Sequence, residues 1–100
     1  MVKCIILNPT GNITGLVVND IQRNKYKEIS NKVFEFDKKV EQVGFLKKEN
    51  NIYRIEMAGL EFCGNASRAF ACFLYHDQYV KTNNFKISVS GIEQLLDVVV

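Results

Sequence analysis

The chain has 100 residues, 47% of them hydrophobic and 24% charged, with a formal net charge of +2, which describes one soluble globular domain large enough for a single core. A charge so near neutral and so evenly spread argues against nucleic acid or an anionic membrane as partner, and no apolar run approaches the length of a membrane span. The opening apolar stretch, residues 4–7, is too short for a secretory signal, and three cysteines, Cys4, Cys63 and Cys72, cannot all pair, so free thiols and a cytoplasmic protein are expected.

Residues 2–7 read as an apolar strand, broken at Asn8-Pro9-Thr10-Gly11-Asn12 by nearly every residue type that turns favour. Residues 13–18 resume as a second strand, making a hairpin-like pair. Over 20–33, Tyr26, Ile29 and Val33 recur at intervals of three and four among polar residues, which predicts a surface helix with one apolar stripe and Asp20 as its cap. Lys38-Lys39 and Lys47-Lys48 read as solvated loop and edge residues. Residues 40–46 form a short strand interrupted by Gly44, and Glu49-Asn50-Asn51 turns the chain into a further strand over 52–58. There Arg54 and Glu56 alternate with Tyr53, Ile55 and Met57, as on the solvent face of a strand.

Cys63-Gly64-Asn65-Ala66 follows, a thiol at the mouth of a helix predicted over 64–79. The unpaired amides and partial positive charge of a helix start can hold a carboxylate and favour an anionic sulfur, so a cysteine and a carboxylate pocket would share one small site. Little polar surface interrupts the middle turns, so this helix is expected to be buried on most sides, with Cys72 as a small core residue. Cys63 and Cys72, nine residues apart, fall on opposite faces of it and cannot form a disulfide. Cys72 and His76 share a face at a spacing that metal sites use, but no third or fourth ligand lies near in sequence, and no metal is expected. Residues 85–90 alternate strictly as a half-buried strand, with Lys86, Ser88 and Ser90 on its polar side. The apolar run 95–100 reads as a strand in mid-course, and an apparently truncated C-terminal end is expected. Two helices, one enclosed, and at least five strands imply an α+β lobe in which a curved mixed β-sheet wraps a buried central helix.

Read locally, a lone cysteine beside a core helix is more often structural than reactive, and Gly11 and Gly64 are as readily turn and cap residues. The longer pattern weighs against that. Asn8-Pro9-Thr10-Gly11-Asn12, Glu41-Gln42-Val43-Gly44-Phe45 and Met57-Ala58-Gly59-Leu60-Glu61-Phe62-Cys63-Gly64-Asn65-Ala66, in that order, resemble the diaminopimelate epimerase-like superfamily of cofactor-independent amino-acid racemases and epimerases. Within it they look most like the histidine racemases of staphylopine-type metallophore pathways. Gly59 stands closer to Cys63 than in true diaminopimelate epimerases, and Glu56 occupies the stretch where those enzymes hold the distal part of their substrate, so diaminopimelate is the lesser alternative.

The resemblance implies a two-lobe fold of which residues 1–100 are the N-terminal lobe, a small amino-acid substrate and no cofactor. It implies a two-cysteine acid/base mechanism with Cys63 as one catalytic thiol, the other coming from a second lobe, a partner chain or a homodimer. Substrate would be bound by Asn12, Gly64, Asn65 and Ala66, with Gly11, Glu56 and Glu61 as lesser candidates. A reading of another class stays open beside it: a non-catalytic small-anion binding or assembly module that keeps the helix-mouth pocket.

Overall fold

The computed structural model describes residues 2–100. Six strands form one sheet in sequence order: β1 (Cys4–Leu7), β2 (Thr14–Val17), β3 (Gln42–Glu49), β4 (Ile52–Met57), β5 (Asn84–Val89) and β6 (Leu96–Val99). Pairing alternates, with β1·β2, β3·β4 and β5·β6 antiparallel and β2·β3 and β4·β5 parallel. Each parallel pair is joined by a helix, α1 (Tyr26–Phe36) between β2 and β3 and α2 (Gly64–His76) between β4 and β5. Both crossovers step the same way across the sheet, but β4 and β5 run opposite to β2 and β3. Right-handed connections then place the two helices on opposite faces.

The side chains divide accordingly. Val17, Val43 and Phe45 meet Tyr26, Ile29 and Val33 of α1 on one face. On the other, Ala66, Phe70, Phe73 and Leu74 of α2 meet Leu16, Ile55, Met57, Ile87 and Val89. Leu7 of β1 and Leu96 and Val98 of β6 pack into the same cluster, so all six strands reach α2 and the mixed sheet wraps the central helix. Gly44 does not interrupt β3. It pairs with Leu16 and Met57 in an unbroken ladder, and a side chain there would stand 2.8 Å from Ile55 Cδ1, so its glycine admits a neighbouring core residue.

Four local expectations are corrected. The first helix begins at Tyr26, after a 3₁₀ turn at Arg23–Lys25, and not at Asp20, which makes no cap because its carboxylate accepts from Lys47 Nζ at 3.1 Å. That contact also removes Lys47 from the solvated edge: its ammonium donates further to the Ile21 carbonyl and lies 5.6 Å from the Tyr26 ring centroid. The second helix stops at His76, short of residue 79. Gln78 takes φ +64° while its amide donates to Tyr75 O and that of Tyr79 to Leu74 O, the closing pattern of a Schellman turn made without glycine. Cys72 is exposed and not a core residue, because Arg68, Cys72 and His76 recur every four residues along the one stripe of α2 that the sheet leaves open. The apolar C-terminal run is the edge strand β6, with Val99 turned outward.

Candidate functional site

Cys63 is the N-cap of α2, with extended backbone at φ −134° and ψ 112°. Its carbonyl is fully engaged, accepting from Ser67 N at 3.0 Å and Ser67 Oγ at 2.8 Å. Its side chain makes no capping bond, so the amides of Gly64, Asn65 and Ala66 have no acceptor inside the helix, and those of the half-buried Gly64 and Asn65 remain available at its mouth. The thiol is thereby free to serve another partner.

That partner is Gln42, the first residue of β3. Gln42 Nε2 lies 3.2 Å from Cys63 Sγ, 2.9 Å from Thr14 Oγ1 and 3.4 Å from the Asn12 carbonyl. Thr14, fully buried and directly opposite Gln42 in the parallel ladder, donates its own hydroxyl proton to Asn12 O at 2.9 Å. With that proton committed, Thr14 can only accept from Gln42, which fixes the amide with its nitrogen toward the site. Two N–H groups then reach the two nearer acceptors, Thr14 Oγ1 and Cys63 Sγ. Three segments distant in sequence, the Asn8–Asn12 turn, the start of β3 and the mouth of α2, are tied together at the Gln42 side-chain amide.

Asn12 enters through its backbone, at φ +57°. Among the described residues no hydrogen bond engages its side-chain amide. Gly11, at φ +112°, sits at the open tip of the turn. The Asn65 side chain accepts from Arg68 Nη2, one turn on, and Ala66 is wholly buried under the helix mouth. Glu61 is exposed just ahead of the thiol. Gln42 was not among the residues singled out by sequence reasoning. Its only signal was membership of the Glu41–Phe45 block, because a strand-initial glutamine is otherwise unremarkable.

Glu56 is not brought to this site, and the expectation of a solvent-facing Arg54 and Glu56 fails. Glu56 pairs with Phe45 on the α1 side of the sheet, the face opposite Cys63, and is only 1% exposed. Arg23 grips it with Nε at 3.0 Å and Nη2 at 2.6 Å, Arg54 Nε donates at 2.8 Å, and Tyr26 Oη at 2.6 Å. Arg23 does most to hold the carboxyl at about 2, against an ordinary value near 4.5, with Tyr26 and Arg54 adding to it and burial opposing. Burial first and the Glu56 bond second push the Tyr26 phenol up. Each Glu56 carboxylate oxygen accepts two bonds, and those from Arg23 and Tyr26 join the start of α1 to β4. Arg54 reaches on to Ser88 Oγ at 2.7 Å, so the polar side of β5 is engaged too.

Several depressions lie away from the thiol, two of them beside the other cysteines. One, of about 400 Å³, runs between β1 and α1 past Cys4, Ile6, Val33 and Phe36. There burial, and then Asp37, raise the Cys4 thiol above its ordinary value. The other borders the open stripe of α2 at Arg68, Cys72 and His76. Among the described residues no three His, Cys, Asp or Glu side chains gather as metal ligands, and no helix is long and apolar enough to cross a membrane.

The family model described as the histidine racemase CntK N-terminal domain matches residues 1–100. A histidine racemase of Fusobacterium nucleatum subsp. nucleatum is 43% identical over 98 residues, covering 94% of this chain and 36% of that protein. The histidine racemase of Staphylococcus aureus strain Mu50 is 34% identical over 94 residues, covering 89% of this chain and 34% of its own length. The chain thus spans about a third of the length of the curated relatives it matches. A crystal structure of a phenazine biosynthesis protein PhzF family member from Enterococcus faecalis superposes with a TM-score of 0.67 at 18% identity, over 91% of this chain and 35% of that one. That likeness is one of fold.

Proposed function

The chain belongs to the histidine racemase CntK N-terminal domain family, and from that membership we propose that it is the N-terminal lobe of a two-lobe, cofactor-independent amino-acid racemase acting on histidine, with Cys63 as one of two acid/base thiols. The supporting observation is the hydrogen bond from Gln42 Nε2 to Cys63 Sγ at a helix mouth whose amides have no other acceptor. A sulfur in that position is oriented as an acceptor, and the Gly64 and Asn65 amides can hold a substrate carboxylate within reach of it, with Ala66 packed beneath them.

An amino-acid α-hydrogen is a very weak acid. Removing it requires a base aligned with the C–H bond and fixed donors for the charge that grows on the carboxylate as the carbanion forms. Inversion requires a proton to return from the opposite face, so Cys63 Sγ takes or returns the proton on one side and a second thiol, from outside these residues, acts on the other. Each turnover swaps the protonation states of the two thiols, and proton exchange with solvent, or the reverse reaction, resets them. The Asn12 side-chain amide and Asn65 fix the orientation of the α-amino and carboxylate groups, while Gly11 and Glu61 border the pocket.

The test is conversion of L-histidine to D-histidine by the complete protein, without added pyridoxal phosphate or metal. Racemisation that disappears in Cys63→Ser supports the proposal. Full racemisation in Cys63→Ser, or dependence on pyridoxal phosphate, contradicts the thiol mechanism. Histidine binding without turnover makes the site a binding module.

A further inference from the structure

The thiol is reached through a loop, residues 58–62, that lies between β4 and α2 and has little regular structure of its own. Leu60 takes φ +62°, and both Leu60 and Phe62 are substantially exposed. A loop with so little packing needs an external hold if the residue that follows it is to keep one position. The hold is the end of β5. Ser90 is 1% exposed, and its amide donates to Ile55 O at 3.0 Å, carrying the β4·β5 ladder one residue further. Its hydroxyl accepts from Met57 N at 2.9 Å and donates to the Glu61 carbonyl at 2.5 Å. One buried oxygen thus joins the last residue of β4 to the residue two before Cys63.

Gly91 completes the contact. It has φ +83°, and a Cβ there would stand 2.5 Å from Phe62 N and 2.9 Å from Phe62 Cβ. Only glycine lets the backbone after β5 lie directly on the backbone before Cys63.

We propose that Ser90 and Gly91 are positioning residues for the Cys63 thiol: together they fix the Glu61–Phe62 segment from below, so that Sγ meets Gln42 and faces the amides of α2. The inference rests on the racemase reading for its effect on turnover, but the placement of the sulfur can be measured without it. Cys72, exposed on α2 and remote from the loop, serves as an internal reference for thiol reactivity.

The experiment compares Ser90→Ala, Ser90→Thr and Gly91→Ala with the parent in the complete protein. Iodoacetamide labelling of Cys63 is measured relative to Cys72 well below each unfolding midpoint, beside kcat and KM for histidine. In Ser90→Ala the Cys63:Cys72 labelling ratio should change several-fold and kcat should fall about tenfold to a hundredfold, the scale set by an ångström of misplacement. KM should move far less, and Ser90→Thr, which keeps the hydroxyl, should restore the parent ratio. A purely structural serine would lower the midpoint and leave the ratio unchanged, and that result overturns the proposal. If Ser90→Ala does not fold, Gly91→Ala decides, because it leaves the Ser90 hydroxyl in place and presses directly on the Glu61–Phe62 backbone: an unchanged ratio there refutes the brace. A changed ratio in a protein that racemises nothing upholds the brace and refutes the racemase reading alone.

Discussion

At the scale of the residue, Gln42 carries more of the site than its type suggests. Gln42→Leu would keep the bulk but remove the donor to both Thr14 Oγ1 and Cys63 Sγ. Stability should fall by only about 1 kcal/mol, while kcat falls about 10²-fold, the scale expected when one oriented donor is lost from a site. Denaturant unfolding beside steady-state kinetics checks both. Cys72→Ser, on the open stripe of α2, should racemise within about twofold of the parent. Glu56 gives the opposite profile, large in stability and indirect in chemistry. Its carboxyl is depressed in the folded state, so its stabilisation is complete above about 4.5 and is lost as pH falls from there toward about 2. Glu56→Ala should cost roughly 3–5 kcal/mol at pH 7, because it strands Arg54 and Tyr26 at a buried site. The gap from the parent in urea unfolding should narrow as pH drops through that window. A gap that stayed constant to pH 2.5 would show that the network does not contribute as an ion pair. Cys63 and the helix-mouth amides were legible from the sequence because a cysteine before a glycine at a helix start is a local pattern. Glu56 was misread because alternation along a strand tells which residues share a face, and not which face a second helix covers.

At the scale of the element, the strands were nearly all legible, since apolar runs separated by Asn, Gly and Pro mark them directly. What failed was helix ends. Asp20 has the chemistry of a cap, but Lys47, 27 residues away, takes its carboxylate, and Arg23 and Tyr26 start the helix where Glu56 holds them. The end of α2 was overshot because its Schellman turn uses Gln78 where glycine would have signalled a stop. That turn supplies a prediction of its own. An L-residue in the left-handed region costs about 1–2 kcal/mol, part of which glycine would return as unfolded-state freedom. Gln78→Gly should therefore raise stability by about 0.5–1 kcal/mol, seen as a higher denaturant midpoint at unchanged m-value. A lower midpoint would mean that the Gln78 side chain holds the turn in a way its φ does not reveal.

At the scale of the whole molecule, a single sheet with one helix on each face separates two tasks. The α1 face buries the Glu56 network, while the α2 face carries the larger apolar core and brings Cys63, Gln42 and Thr14 together at the mouth of α2. The topology follows from the chain: reversing strand polarity between β3 and β4 is what sends the second helix to the other face. The sequence carried the lobe through its blocks of turn and helix-mouth residues. It did not carry the pairing of Gln42 with Thr14, which exists only once β2 and β3 lie parallel.

The central claim is that Cys63 moves the α-proton on one face of the substrate while a second thiol serves the other. The most direct measurement follows early turnover of L-histidine by the complete protein in deuterium oxide, with the isotope located by mass spectrometry in substrate and product separately. Two bases predict deuterium at the α-carbon of the D-histidine formed and almost none in the L-histidine recovered, with product formation lost in Cys63→Ser. Deuterium accumulating equally in recovered substrate and product, or product formation undiminished in Cys63→Ser, would contradict it.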